Sequence, residues 1–197
     1  MTDRTIWQDE IERQRRRLEA DLVSRQIGVF LTAVVFVFFL PFWVVFLSYL
    51  AVVGTEVAQH RLMLAYAAEP TPSRRTAIHA NAGFGMAAYC LPALFVWLDP
   101  DPLVKFAGVL PIVGALLSVS VVRSTHLSFG LASGLPAAMA LLWLPLQYVF
   151  DPVLDYRAVL AVSATIVLLG YFVSALMQNH RVQKDLVAAS AEASAAS

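Results

Sequence analysis

The sequence predicts an all-α integral membrane protein: a six-transmembrane-helix bundle with N- and C-termini cytoplasmic, its last helix continuing into a coiled-coil-like helix. Three observations predict this. Of 197 residues, 59% are hydrophobic and 14% charged, whereas soluble domains run near half apolar and a quarter charged. The apolar residues gather into stretches close to the ~20 residues that a membrane-spanning helix needs. The basic residues between those stretches fall almost entirely on one side of the predicted membrane. No stretch alternates with the period of two expected of a β-barrel strand. The first apolar run begins only at Ile27, after a long charged segment, unlike a secretory signal peptide.

Residues 1–20 form a cytoplasmic N-terminal amphipathic segment. Ile6, Trp7, Ile11 and Leu18, with Leu22 beyond, recur at roughly helical spacing. Two readings fit them: a helix lying on the inner membrane surface, each arginine drawn to anionic lipid by ~1 kcal/mol, or a solvated lead-in that fixes topology. Residues 21–178 make the six-helix domain, with spans near 21–40, 42–66, 76–98, 102–122, 127–150 and 158–178. The first two come from one run. Ile27–Gly54 has no charge, and as a single helix it would be ~42 Å long against a hydrocarbon core of ~30 Å. Pro41 lies at its centre, where proline ends one helix and opens the next, so a hairpin is expected.

Charge selects six spans over five. Six place Arg4, Arg13, Arg15, Arg16, Arg17, Arg25, Arg61, Arg74, Arg75, Arg123, Arg181 and Lys184 inside, leaving only Lys105 and Arg157 outside, as the positive-inside rule requires. The outer loops are short and acidic, with Asp99, Asp101, Asp151 and Asp155. Trp97, Trp143, Tyr148 and Tyr156 fall near the outer interface, where aromatic residues concentrate. The predicted location is the bacterial inner membrane.

Residues 179–197, "NHRVQKDLVAASAEASAAS", are a cytoplasmic linker. Val182, Leu186, Ala189, Ala193 and Ala196 follow the 4-3 spacing of a coiled-coil seam, which extends back through Asn179 and Ala175. So narrow a seam needs a partner helix, and a second copy of the chain is the simplest one. A homodimer is therefore expected. The alternative is a frayed Ala/Ser-rich tail.

"DLVAASAEASAAS" resembles the linker that leads into the dimerisation and phosphoacceptor domain of bacterial sensor histidine kinases. In that family an Ala/Ser/Glu-rich helix runs into a motif of the type K-S-x-F-L-A-x-M-S-H-E-I-R-T-P-L. The six-helix arrangement, the short inner loop with Arg123, Ser124 and His126, and the proline-containing span after it resemble the membrane input region of hybrid sensor kinases. The resemblance implies that the chain is the sensor half of a two-component kinase and that residues 179–197 are its signalling helix. ATP, Mg and contact with a response regulator or receiver domain would then belong to a kinase core absent from these residues. No phosphoacceptor motif, glycine box or receiver aspartate is present. The helix at Ser197 reads as cut rather than finished.

Candidate functional groups fall at both ends of the bundle. Glu56 is the only acid well inside a span, and intramembrane ionisable groups are costly and often functional. His60 is one helical turn on, at a spacing that lets the two share a proton. With His79, Arg123 and His126 they would make one polar cluster at the cytoplasmic end. Three readings compete: structural pairing, a signal relay that repacks and moves the last helix, and a metal or haem site. The last lacks a close His pair on one helix, so no metal is assigned and no cofactor is expected in this chain. Near the outer ends of spans three and five, Tyr89, Trp97, Trp143, Gln147 and Tyr148 suggest a pocket for a small hydrophobic ligand or an aromatic belt. Gly130 and Gly134 form a GxxxG helix-packing pair, within the monomer or between copies.

Catalytic residues are not apparent, since no nucleophile–base pair stands out. Cys90, the single cysteine, reads as a small buried apolar residue. The basic residues follow topology, which leaves the lipid bilayer rather than nucleic acid as the expected partner. The rival function is a free-standing transporter-like or accessory membrane protein that uses Glu56 as a proton or substrate group.

Overall fold

A computed structural model describes residues 3–123, 126–150 and 156–196, with side chains placed from Glu10 to Leu186 within those ranges and at residues 188 and 189. The described residues form seven α-helices and no strand: α1 (Asp3–Ala20), α2 (Leu22–Phe36), α3 (Phe42–Ala68), α4 (Pro72–Val96), α5 (Pro102–Val122), α6 (Leu127–Leu146) and α7 (Tyr156–Ala196). Helices α3, α5, α6 and the Tyr156–Leu186 part of α7 are long and apolar enough to cross a membrane. A fifth span results if α1 and α2, bent by 57° at their junction, are counted together. The chain is a multi-pass membrane protein.

Local chemistry sets the helix ends. The long apolar run breaks at residues 37–41: α2 closes through bonds from Val37 and Leu40 to the carbonyls of Ala33 and Phe36, and Pro41 caps α3. Thr71 caps α4 and Asp101 caps α5, each followed by a proline in the first turn, where the missing N–H costs nothing. The first predicted span, 21–40, is shorter in the structure. Helix α2 has 15 residues, about 22 Å, because residues 37–40 leave the helix as a turn. The fifth, 127–150, ends as a helix at Leu146, and residues 147–150 are turn.

Helix α4, over the third predicted span, does not reach the hydropathy of a membrane-crossing helix. Its position explains why. It packs against α2, α3, α5 and α6, so much of its surface meets protein. There Asn81 and small residues serve better than lipid-facing leucines.

Two cores result. The larger joins Phe36, Val45, Met86, Cys90, Ile112, Val119, Leu141 and Leu144 along the bundle. The smaller lies at one end, where Ile11 and Leu18 of α1 pack with Met63, Tyr66, Ile78 and Phe129. Ile11 and Leu18 of α1 are thus turned into the protein rather than toward lipid. The side chains of Ile6 and Trp7 lie outside the described residues, as do Ser124, Asp151 and Asp155 and the side chains of Ala193 and Ala196.

Helix α7 is the least enclosed. Leu169, Phe172, Leu176 and Asn179 form its packed stripe, while Leu160, Ile166, Val167 and Tyr171 are more than half exposed. The GxxxG pair receives that stripe. A Cβ on Gly130 would lie 2.9 Å from Leu176 and 3.0 Å from the Arg123 carbonyl, and one on Gly134 would lie 2.7 Å from the Phe172 ring. The pair therefore serves packing within the chain. Gly130→Ala is expected to destabilise the bundle by ~1–3 kcal/mol through overpacking against backbone. Gly114→Ala, whose added Cβ meets nothing within 4 Å, should be neutral or slightly stabilising. Thermal unfolding in detergent checks both.

Candidate functional site

The polar residues singled out in the sequence separate into two groups at the α1 end. Glu56 pairs with arginines, not with His60. Arg25 Nη2 donates to Glu56 Oε2 at 2.7 Å, and Arg123 Nη2 lies 3.8 Å from Glu56 Oε1. All three side chains are less than one-fifth exposed. Arg25 stands at the start of α2, Glu56 midway along α3 and Arg123 at the end of α5. One carboxylate thus ties together three helices from separate parts of the chain. Burial pushes the Arg123 guanidinium down to about 10, with Arg25 contributing and Glu56 opposing; it stays charged at neutral pH. Its guanidinium also lies 5.5 Å over the Phe129 ring.

The second group surrounds the start of α6. His79 Nε2 is 2.9 Å from Ser128 Oγ, which is 3.0 Å from His126 Nδ1. The two imidazoles meet edge to face at 6.3 Å. His126 Nε2 is 3.3 Å from Glu10 of α1. His60 faces α1 instead, with Nδ1 3.1 Å from Glu19. Helix α1 therefore acts as a clip. It touches His60 on α3, the α5–α6 junction through Glu10 and through Gln14, which donates to the Val122 carbonyl at 3.0 Å, and α7 through an Arg17–Gln183 hydrogen bond.

The Arg25–Glu56–Arg123 group closes one end of a cavity of about 640 Å³ bounded by α2, α3, α4 and α5. That volume lies within the usual range for small-molecule sites, ~300–1,000 Å³. Near the charged end, Asn81 Nδ2 donates to Gln59 Oε1 at 2.7 Å and to the Thr55 carbonyl at 2.9 Å. Farther along, Tyr89 and Thr32 hydroxyls are 3.3 Å apart. The remaining wall is mostly apolar, including Val35, Phe36, Met86, Leu110, Pro111 and Ala115.

Tyr89 thus belongs to this interior cavity and not with the tryptophans. Trp97 and Tyr148 meet edge to face at 6.2 Å at the far end. Lys105 Nζ donates to the Tyr148 hydroxyl at 2.6 Å and lies over both rings, 5.6 and 5.3 Å from their centroids. Trp143 is 54% exposed, and Gln147 Nε2 donates to the Leu144 carbonyl of its own helix at 2.9 Å. Trp97, Lys105 and Tyr148 thus form one cluster. Among the described residues, no group of three or more His, Cys, Asp or Glu side chains is placed to hold a metal.

Sequence reasoning missed Arg25 and Glu10, because partners across helices leave no spacing signal. Arg25 offered one clue, its place at the edge of a long uncharged run. Comparison with protein-family models, curated proteins and solved structures finds no match to this chain.

Proposed function

We propose that the chain is the membrane-embedded input region of a two-component sensor histidine kinase in a bacterial inner membrane, with six spans and both ends cytoplasmic. One observation carries this reading: α7 is a single helix of 41 residues, continuous from the apolar span into the polar segment that resembles the kinase linker. A continuous helix transmits rotation or translation across the membrane surface, which a helix ending at a loop does not. The α1 clip adds the coupling, joining the α3 and α5 ends to α7. In this scheme the Arg25–Glu56–Arg123 group and the neighbouring His79–Ser128–His126 group hold one packing of the helices. A stimulus that binds a second packing better shifts α5 and α7 together. Val182 and Leu186, about half exposed or more, would lie on the seam between two copies of α7.

The first test is to read the coding sequence past codon 197. The expected result is a continuing frame with an H-E-I-R-T-P-L-like stretch and an ATP-binding domain. A stop codon there would overturn the kinase assignment. The second reading, a transporter-like or accessory protein, draws on one observation: Glu56 lines the cavity. It predicts that Glu56→Gln abolishes solute-coupled proton movement in vesicles, whereas an input region would show altered kinase output and no transport.

A further inference from the structure

The charged end of the cavity carries more donors than acceptors. Arg25 uses Nη2 on Glu56, yet its Nε and Nη1 are buried without a hydrogen-bond partner among the described residues. Asp21 approaches that Nη1 only to 4.0 Å, beyond hydrogen-bond reach. Arg123 reaches Glu56 only at 3.8 Å, and its Nη1 is likewise buried and unpaired. Gln59 Nε2 is a fourth such atom on the same wall. All four are N–H donors. A buried donor left unpaired is costly, and a charged one more so. Water can satisfy donors, but the oxygens of an anion accept from guanidinium N–H groups more strongly, and the two carboxylates here, Glu56 and Asp21, leave these four N–H groups unused.

The rest of the cavity has the opposite character. Val35, Phe36, Leu110 and Pro111 give it an apolar wall, and Leu31, Val35 and Leu110 are also about half exposed on the surface of the bundle. The cavity therefore communicates with the apolar surface between α2 and α5, the side from which a molecule dissolved in the bilayer arrives. Gly28 and Gly114 line it, and neither has an atom within 4 Å of where a Cβ would sit.

We propose that this cavity binds an amphiphile with an anionic head group, a carboxylate or a phosphate, held by Arg25 and Arg123, with its apolar tail along α2 and α5. Guanidiniums are suited to both heads, since their forked N–H groups match paired oxygens. Glu56 competes for the same donors and so limits the affinity. The inference stands apart from the kinase assignment, because binding is read on the chain itself.

The test is equilibrium binding of radiolabelled oleate, lysophosphatidate and monoolein to the purified 197-residue chain in phosphatidylcholine nanodiscs. Oleate and lysophosphatidate are expected to bind at least about tenfold more tightly than monoolein, a difference of ~1.4 kcal/mol. The tighter of the two names the source, free fatty acid or phosphate-headed lipid. Arg25→Gln and Arg123→Gln should each remove the preference for anions while leaving monoolein binding in place. Glu56→Gln should tighten both anions, an outcome that a merely structural carboxylate does not give. Gly114→Leu, which fills open space, should block all three ligands without loss of fold, and it decides the matter if an arginine variant fails to fold. Equal binding of the charged and neutral amphiphiles, or anion binding that survives Gly114→Leu, would overturn the proposal.

Discussion

Glu56→Gln is expected to destabilise the empty protein by ~3–5 kcal/mol, the loss typical of removing one partner from a buried ion pair. The carboxylate holds Arg25 at 2.7 Å and Arg123 at 3.8 Å, in surroundings where all three side chains are largely buried. Removing its charge leaves two guanidiniums facing a neutral amide, with Asp21, 4.0 Å from Arg25, as the remaining carboxylate. The tie among the three helices is weakened. Glu56→Asp should cost less, since it keeps the charge but shortens the reach. The double variant Glu56→Gln/Arg123→Gln should recover part of the loss, because one of the stranded charges is then gone. Thermal unfolding in detergent measures all three. An anionic amphiphile in the cavity should restore Glu56→Gln in proportion to RT ln(1 + [L]/Kd). Unchanged stability in Glu56→Gln would mean that the pairing contributes nothing.

The second large effect is on pH. Burial pushes His126 from 6.5 down to about 4, with His79, Arg75, His180 and Lys184 adding to it. Burial prevails over the Glu10 carboxylate 3.3 Å away. The folded value lies below the unfolded one, so the unfolded chain binds the extra proton between pH 6.5 and about 4. His126 therefore contributes stability that is fully present above pH 6.5 and is lost as pH falls through that window. At ~1.4 kcal/mol per unit the loss is on the order of 3 kcal/mol. His126→Gln should flatten stability over that window, as measured by unfolding at stepped pH. A slope identical to that of the parent chain would show that His126 does not titrate differently in the folded state.

Much of the helical layout was legible because backbone chemistry wrote it locally. Pro41 marked the break in the long apolar run, and the fourth span was expected to start at Pro102, as α5 does; the third was expected from residue 76, whereas Thr71 caps a helix that starts at Pro72. Packing was not legible in the same way. The periodicity of Ile11 and Leu18 announced an apolar face on α1, but a face does not name its target, and the structure turns it onto Met63, Tyr66 and Phe129 rather than to lipid. The third span was expected as one membrane helix among six; in the structure α4 packs against four other helices, and its polar residues reflect that position. Glu56 stood out as an isolated acid inside an apolar run. Its partner Arg25 lies 31 positions earlier, and His60, one turn away, was the local choice. The tertiary fold overrode that choice by giving His60 to Glu19. Tyr89 was grouped with the tryptophans near the outer end of the third span, but it lies eight residues before Trp97, more than two turns along one helix, and lines the interior cavity.

The proposed function requires two copies of α7 to meet along one seam. Cysteines at Val182 and Leu186, each introduced singly, test this in native membranes, with Lys184→Cys as the off-seam control; Cys90 is buried and should not compete. The predicted result is rapid disulfide-linked dimer at positions 182 and 186 and little at 184. Equal crosslinking at all three positions, or none at any, would contradict a dimer joined along α7.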